Sequence, residues 1–183
     1  MADPLYKRMT AFLREVGIED QPHTGKTYLG HLLAVHRLLE EEGYGTDACR
    51  AGLFHSVYGT ELFQGFKLPV EKRAAVRELI GERAERLAYL NCAMDRSSFD
   101  AALDRAGPPY PVRDRLTGEE VALAREDFDD LCRVHLYDWL EQVPRSRHGY
   151  DYRRSAYRRM AERLGPAAVA AYDRVFAGEP RPG

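Results

Sequence analysis

Little in this chain of 183 residues has a strong global character. Its 27 basic and 29 acidic residues leave a formal charge of −2. No whole-surface field therefore draws in nucleic acid or an anionic membrane, and any binding site must be local. Only three cysteines occur, Cys49, Cys92 and Cys132, far apart, odd in total and without a CxxC spacing. They exclude a disulfide scaffold and read as reduced core thiols in a reducing compartment. No stretch approaches the roughly 20 apolar residues of a membrane span. The N-terminal MADPLYKRMTAFLREVG interrupts its apolar positions with charges, unlike the h-region of a signal peptide. The expectation is a cytoplasmic protein with no membrane and no nucleic-acid partner. Internal repeats, low-complexity blocks and alternating β-branched runs are also missing.

What is present is helical periodicity. Apolar residues recur at three and four with charges between, which predicts an all-α fold in one domain over residues 1–183, long enough to bury a core unaided. A first helix runs from about Pro4 to Val16 and ends at Gly17, and QPHTG forms a loop. The second, about Lys26 to Glu42, is apolar nearly all round and therefore central. Thr46 or Asp47 can cap a third helix that runs to about Ser56, where Tyr58-Gly59-Thr60 breaks the pattern. Further helices are expected over Val70 to Ile80, Glu82 to Asp95, and a short one capped by Ser97 and Ser98. Gly107 to Gly118 reads as a loop or lid, and Glu119 to Val143 as one long helix or two, ended by Pro144. Helices at about Tyr150 to Leu164 and Pro166 to Phe176 precede a frayed tail over 177–183.

Two suggestive strings dissolve on inspection. HTGKT ends like a phosphate-binding P-loop, but the place of the required first glycine holds Asp20, and a capped helix start explains the same residues. The run RSRHGYDYRRSAYRRM, Arg145 to Met160, mixes arginines with tyrosines as a nucleic-acid surface would. Arginines on an amphipathic helix more commonly form its solvated face, so one small anionic ligand fits this run better than a polymer.

The histidines carry more. His31 and His55 lie on adjacent central helices, and the packing that buries both helices brings such positions together. A mononuclear metal site needs at least three protein ligands, with neutral imidazoles beside a carboxylate. Glu61, Asp95 and Asp138 are the carboxylates available. Asp138 sits at the border of an apolar stripe, facing either a cleft or a surface ion pair. Asp95 ends LAYLNCAMD, as a ligand or as a helix cap beside Ser97.

This layout resembles the HD superfamily of all-α metal-dependent hydrolases. HLLAV from His31 is followed 24 positions later by the His of AGLFH, a spacing similar to guanosine tetraphosphate hydrolases, and HLYDWLEQ resembles the later helix with its Asp. A closer resemblance, over about 22–143, is to uncharacterised HD-like proteins with an HxG, a downstream HL and then AGLFHSxYGTxxF, together with IGERAERLAYLNCAMDR and LEQ. It implies an HD-like helical bundle. Two departures matter: Ser56 stands where the superfamily has Asp, and Gly59 and Thr60 stand where the tetraphosphate hydrolases carry an acidic pair. A neutral hydroxyl neither neutralises nor bridges cations well, so a two-metal centre, including that of HD-type iron oxygenases, is disfavoured.

The leading expectation is a hydrolase holding one divalent metal (Mn, Fe or Zn) through His31, His55 and Asp138 or Asp95. Glu61 or Asp95 would handle the proton, and His23, Tyr58 and Arg96 would orient a small phosphorylated or polar substrate. Two alternatives stay open. One is a metal-free enzyme using Ser56, Tyr58 and the histidines for acid-base or nucleophilic chemistry. The other is a non-catalytic HD-like protein that binds a ligand. Oligomeric state has no signature in the sequence.

Overall fold

The apolar periodicity is realised in a computed structural model, which describes residues 4–19 and 21–180. The described residues form nine α-helices: α1 (Pro4–Glu15), α2 (Tyr28–Glu41), α3 (Thr46–Phe54), α4 (Arg73–Ile80), α5 (Glu82–Ala93), α6 (Arg96–Leu103), α7 (Arg125–Gln142), α8 (Arg154–Leu164) and α9 (Pro166–Phe176). The fold is all-α in class, as the periodicity predicts. Among the described residues, no helix is long and apolar enough to cross a membrane.

The centre is α2, α3, α5 and α7. α2 packs on α3 and α7, α3 also packs on α5, and the α8–α9 pair closes over α7. Leu32, Val35 and Leu39 of α2, Leu53 and Phe54 of α3, and Leu131, Val134 and Leu136 of α7 are fully buried in one core. α2 and α3 approach closely because Gly52 has no side chain. A Cβ there would come 2.4 Å from Leu39 Cδ1 and 3.5 Å from Val35 Cγ1. Gly52→Ala is therefore expected to destabilise the protein by about 1–3 kcal/mol, the usual cost of overpacking a full core. Urea denaturation reads this directly, and a change under about 0.5 kcal/mol would mean that the helix contact is slack.

Two short antiparallel hairpins depart from the sequence expectation. β1 (Pro22–His23) and β2 (Lys26–Thr27) replace the QPHTG loop, with Thr24 at φ +33° and Gly25 at φ +76° forming the two-residue turn. Both central residues of such a hairpin turn need positive φ, which explains the glycine. Thr27 then caps α2, its side chain accepting from the Gly30 amide, so GKT is a turn and a cap. Asp20, where a P-loop would need glycine, lies outside the described residues.

β3 (Tyr110–Arg113) and β4 (Glu120–Leu123) correct the reading of 107–118 as a loop or lid and of Glu119 as a helix start. Tyr110, Val112 and Leu123 are buried, and Tyr110 stacks on Phe128 of α7, so this hairpin is fixed to the core. Four-residue strands are too short for alternation to stand out from helical spacing. Helix starts also move. Gly45 precedes α3 without a side-chain cap, and Asp95, not Ser97 or Ser98, caps α6. At the expected tail, α9 stops at Phe176, and Glu179 pairs with Arg154; residues 181–183 lie outside the described residues.

Candidate metal centre

Buried packing of α2, α3 and α7 places His31, His55 and Asp138 side by side. His31 Nε2 and His55 Nε2 are 3.2 Å apart, and Asp138 Oδ1 lies 3.1 Å from the first and 3.2 Å from the second. Among the described residues, this is the group of His, Cys, Asp or Glu side chains that could hold a metal ion. His31 is 0% exposed, His55 1% and Asp138 7%, so the three side chains are largely withdrawn from water.

The outer nitrogen of each ring is already committed. His31 Nδ1 donates to Glu141 Oε2 at 2.5 Å, and His55 Nδ1 donates to the Gly52 carbonyl at 2.7 Å. With the protons on Nδ1, both Nε2 atoms carry lone pairs aimed at the same place as a carboxylate oxygen. Three acceptors facing one another, with only Gln142 Nε2 donating to Asp138 Oδ1 at 2.8 Å, require a cation or an extra proton between them. The electrostatics agree. Burial opposes charge on His31, but its bonds to Asp138 and Glu141 outweigh that and raise its pKa, while burial of Asp138 is outweighed by both histidines, which hold its carboxyl well below the usual range. A proton and a metal ion thus compete for one position.

The donor set and the spacing both fit a metal. Atoms bound at about 2.0–2.1 Å stand about 2.9 Å apart on an octahedral face and about 3.3–3.4 Å apart in a tetrahedron. The observed edges of 3.1–3.2 Å fall between these limits. Two neutral nitrogens and one carboxylate are borderline ligands suited to Zn, Fe or Mn.

The centre opens on a cavity of about 360 Å³, lined in part by His23, Ser56, Thr60, Phe63, Arg96 and Trp139, with Asp138 and His55 at its base. His23, delivered by the β1–β2 turn, stacks on His31 with ring centroids 4.2 Å apart. Burial and the neighbouring His31 lower its pKa to about 4, so the ring is neutral near pH 7, and its Nδ1 has no hydrogen-bond partner. Arg96 reaches Tyr152 OH at 2.8 Å and has no carboxylate on its guanidinium among the described residues.

Other residues singled out in the sequence stand elsewhere. Asp95 is not in the triangle; its carboxylate accepts from Ser98 N at 2.8 Å and Ser97 Oγ at 2.6 Å as the cap of α6. Tyr58 points into the core, its hydroxyl donating to Glu85 at 3.0 Å. Glu61 is exposed and accepts from the Arg96 amide at 2.9 Å, at the rim rather than in the cavity wall. Ser56 Oγ lies 2.9 Å from Tyr28 OH and has no histidine partner among the described residues. His135 is buried on α7 with Arg153 Nη1 2.8 Å from its Nε2, apart from the triangle. Glu141, by contrast, belongs to the site although it entered the sequence reading only within the LEQ resemblance, and Arg145, the first residue of the run expected to suit a small anion, lines the cavity and bonds Glu141. The signal was available: Asp138, Glu141, Gln142 and Arg145 follow at helical spacing along one stripe of α7 and its exit.

Residues 12–96 match the model of a domain of unknown function, DUF6817. That match takes in His23, His31, His55 and Ser56 and stops before α7, so the DUF6817 segment holds two of the three clustered ligands and not Asp138. No curated protein and no solved structure matches the chain.

Proposed function

We propose that this chain is an HD-like hydrolase that uses one divalent metal on a small anionic substrate, phosphorylated or otherwise polar. The observation that carries it is the buried convergence of His31 Nε2, His55 Nε2 and Asp138 Oδ1 with both Nδ1 atoms already tied back. When bound, a Mn, Fe or Zn ion supplies Lewis-acid polarisation and a water acidified toward neutrality. His31, His55 and Asp138 hold it, and Ser56, lacking a carboxylate, offers no bridge to a second ion.

The rest of the work falls to the cavity wall. Arg96 supplies a guanidinium with no carboxylate to neutralise it, the group expected to anchor an anion. Neutral His23 and the Thr60 and Gln142 side chains give polar contacts, while Phe63 and Trp139 give the wall apolar surface. A cavity of about 360 Å³ has the size of a small-metabolite site. The resemblance of FHSVYGTELF to HD-like proteins supports the same reading.

Protein purified without chelator is expected to carry about one metal ion per chain by elemental analysis. Added Mn, Fe or Zn should raise its melting temperature, and a panel of phosphate esters should show metal-dependent turnover. Absence of both stoichiometric metal and a melting shift would overturn the proposal.

A second reading rests on the same donor set. Two histidines and one carboxylate on one face also suit a non-haem Fe(II) oxygenase. Oxygen uptake by the iron-loaded protein, with no hydrolysis by any metal form, would favour it over the hydrolase.

A further inference from the structure

Glu141 is a buried carboxylate that the proposed chemistry does not consume, and its contacts are unusually complete. Oε2 accepts from His31 Nδ1 and from Arg145 Nη2, both at 2.5 Å, and Oε1 accepts from Lys26 Nζ at 2.5 Å. Arg145 is itself fixed at two further points, donating from Nη1 to the Glu141 carbonyl and from Nε to the Thr24 carbonyl, both at 2.6 Å. Thr24 is a β-branched residue at φ +33°, a conformation that persists only where the surroundings impose it. The turn of the β1–β2 hairpin is therefore clamped onto the end of α7, with Lys26 and Arg145 reaching Glu141 from its two sides.

We infer that Glu141 is a positioning residue for His31: it keeps the imidazole proton on Nδ1, so that Nε2 presents its lone pair to His55 and Asp138. Lys26 and Arg145 are the counter-cations that let a carboxylate remain buried there. A histidine with one nitrogen on a carboxylate and the other free is the arrangement that orients a ligand ring and strengthens its donor nitrogen. Charge makes the same point. Glu141 carries one negative charge against the two positive charges of Lys26 and Arg145, so removing it leaves two cations next to the place where another cation would sit. Lys26 has no such direct claim on His31. It touches the far oxygen of Glu141, and its removal leaves the His31 contact in place.

The inference rests on the metal-binding reading for its consequence but not for its geometry, and the two are tested separately. In metal-free native protein, nitrogen-15 histidine spectra should show the His31 Nδ1 proton as a strongly downfield ring N–H, and in Glu141→Gln that resonance should move upfield or vanish. A native spectrum with no such proton, or one unchanged in E141Q, overturns the inference whatever the metal does. In titrations with Zn or Co, E141Q should bind about 10- to 100-fold more weakly, the usual effect of losing an outer partner of a ligating histidine. The visible spectrum of the Co form should shift as His31 reorients. Lys26→Ala should lose less affinity than E141Q and keep the downfield resonance, because Arg145 still neutralises Glu141 and His31 keeps its acceptor. Equal losses in E141Q and K26A, with the histidine resonance retained in both, would assign Glu141 to packing alone. If native protein shows the His31 resonance but takes up no metal, the hydrolase reading fails while the positioning role stands.

Discussion

Asp138→Asn is expected to abolish metal uptake without unfolding the protein. Asp138 is the one charged member of the triangle, and its Oδ1 is 3.1 Å from His31 Nε2 and 3.2 Å from His55 Nε2. An amide keeps the shape of the side chain but supplies no negative charge to a divalent ion. The loss in affinity should therefore exceed the roughly 10- to 100-fold that follows removal of an outer partner. Without metal the same change is mild. The three facing acceptors become two acceptors and a side chain with an N–H₂, which can donate to either imidazole nitrogen. Metal-free D138N should melt cooperatively, within a few degrees of metal-free native protein, and the rise in melting temperature on adding Zn or Mn should disappear. A metal-induced rise that survives in D138N would remove Asp138 from the centre.

Asp95→Asn is the matching control, because sequence alone left Asp95 and Asp138 as alternatives. The Asp95 carboxylate caps α6 through the Ser98 amide, and asparagine caps nearly as well as aspartate. D95N should leave metal affinity and turnover as they are. Loss of metal in D95N with retention in D138N would exchange the two roles.

The helices and the histidine pair were legible because both follow from one signal, apolar residues at helical spacing. His31 sits on α2 and His55 at the end of α3, two helices that bury most of their residues, and packing those segments brings the rings together. Asp138 was legible only as one of two choices. Distinguishing it from Asp95 depends on which way α7 faces, which is set by contacts with α2 and α3 far away in sequence. Glu141 and Lys26 were not legible as a pair, since they lie 115 positions apart and each resembles an ordinary surface charge. The hairpins escaped for a different reason. β1 and β2 are two residues each, too short to carry a period, and the turn depends on Thr24 accepting an uncommon conformation that composition does not announce. Tyr58 was expected to orient substrate or to take part in acid-base chemistry, yet α3 ends at Phe54 and the chain beyond it turns the ring toward α5.

The second large effect is expected at the place Tyr58 reaches. Glu85 of α5 is 0% exposed and accepts from Arg73 Nε at 2.7 Å, Arg73 Nη2 at 3.0 Å and Tyr58 OH at 3.0 Å. Arg73 also lies over the Tyr89 ring, 3.5 Å from its centroid, so its guanidinium is held on two sides. Arg73→Met leaves a buried carboxylate with the tyrosine and a more distant arginine, Arg77 at 3.7 Å, as its remaining partners. Breaking a buried pair from one side costs about 3–5 kcal/mol, several times the cost at an exposed pair. For a chain of this length that corresponds to a melting temperature lower by about 6–20 °C. Removing the second charge as well should undo most of the damage. In R73M with Glu85→Gln no carboxylate is left uncompensated, and a buried pair replaced on both sides is often near neutral. Urea denaturation of the two single variants and the double variant gives the coupling between the residues. A loss below about 1 kcal/mol in R73M, the range of a solvated pair, would show that Arg77 and water carry the charge instead. Metal affinity supplies the last discrimination: Glu85 is not one of the clustered ligands, so R73M measured well below its melting point should still bind metal as the native protein does.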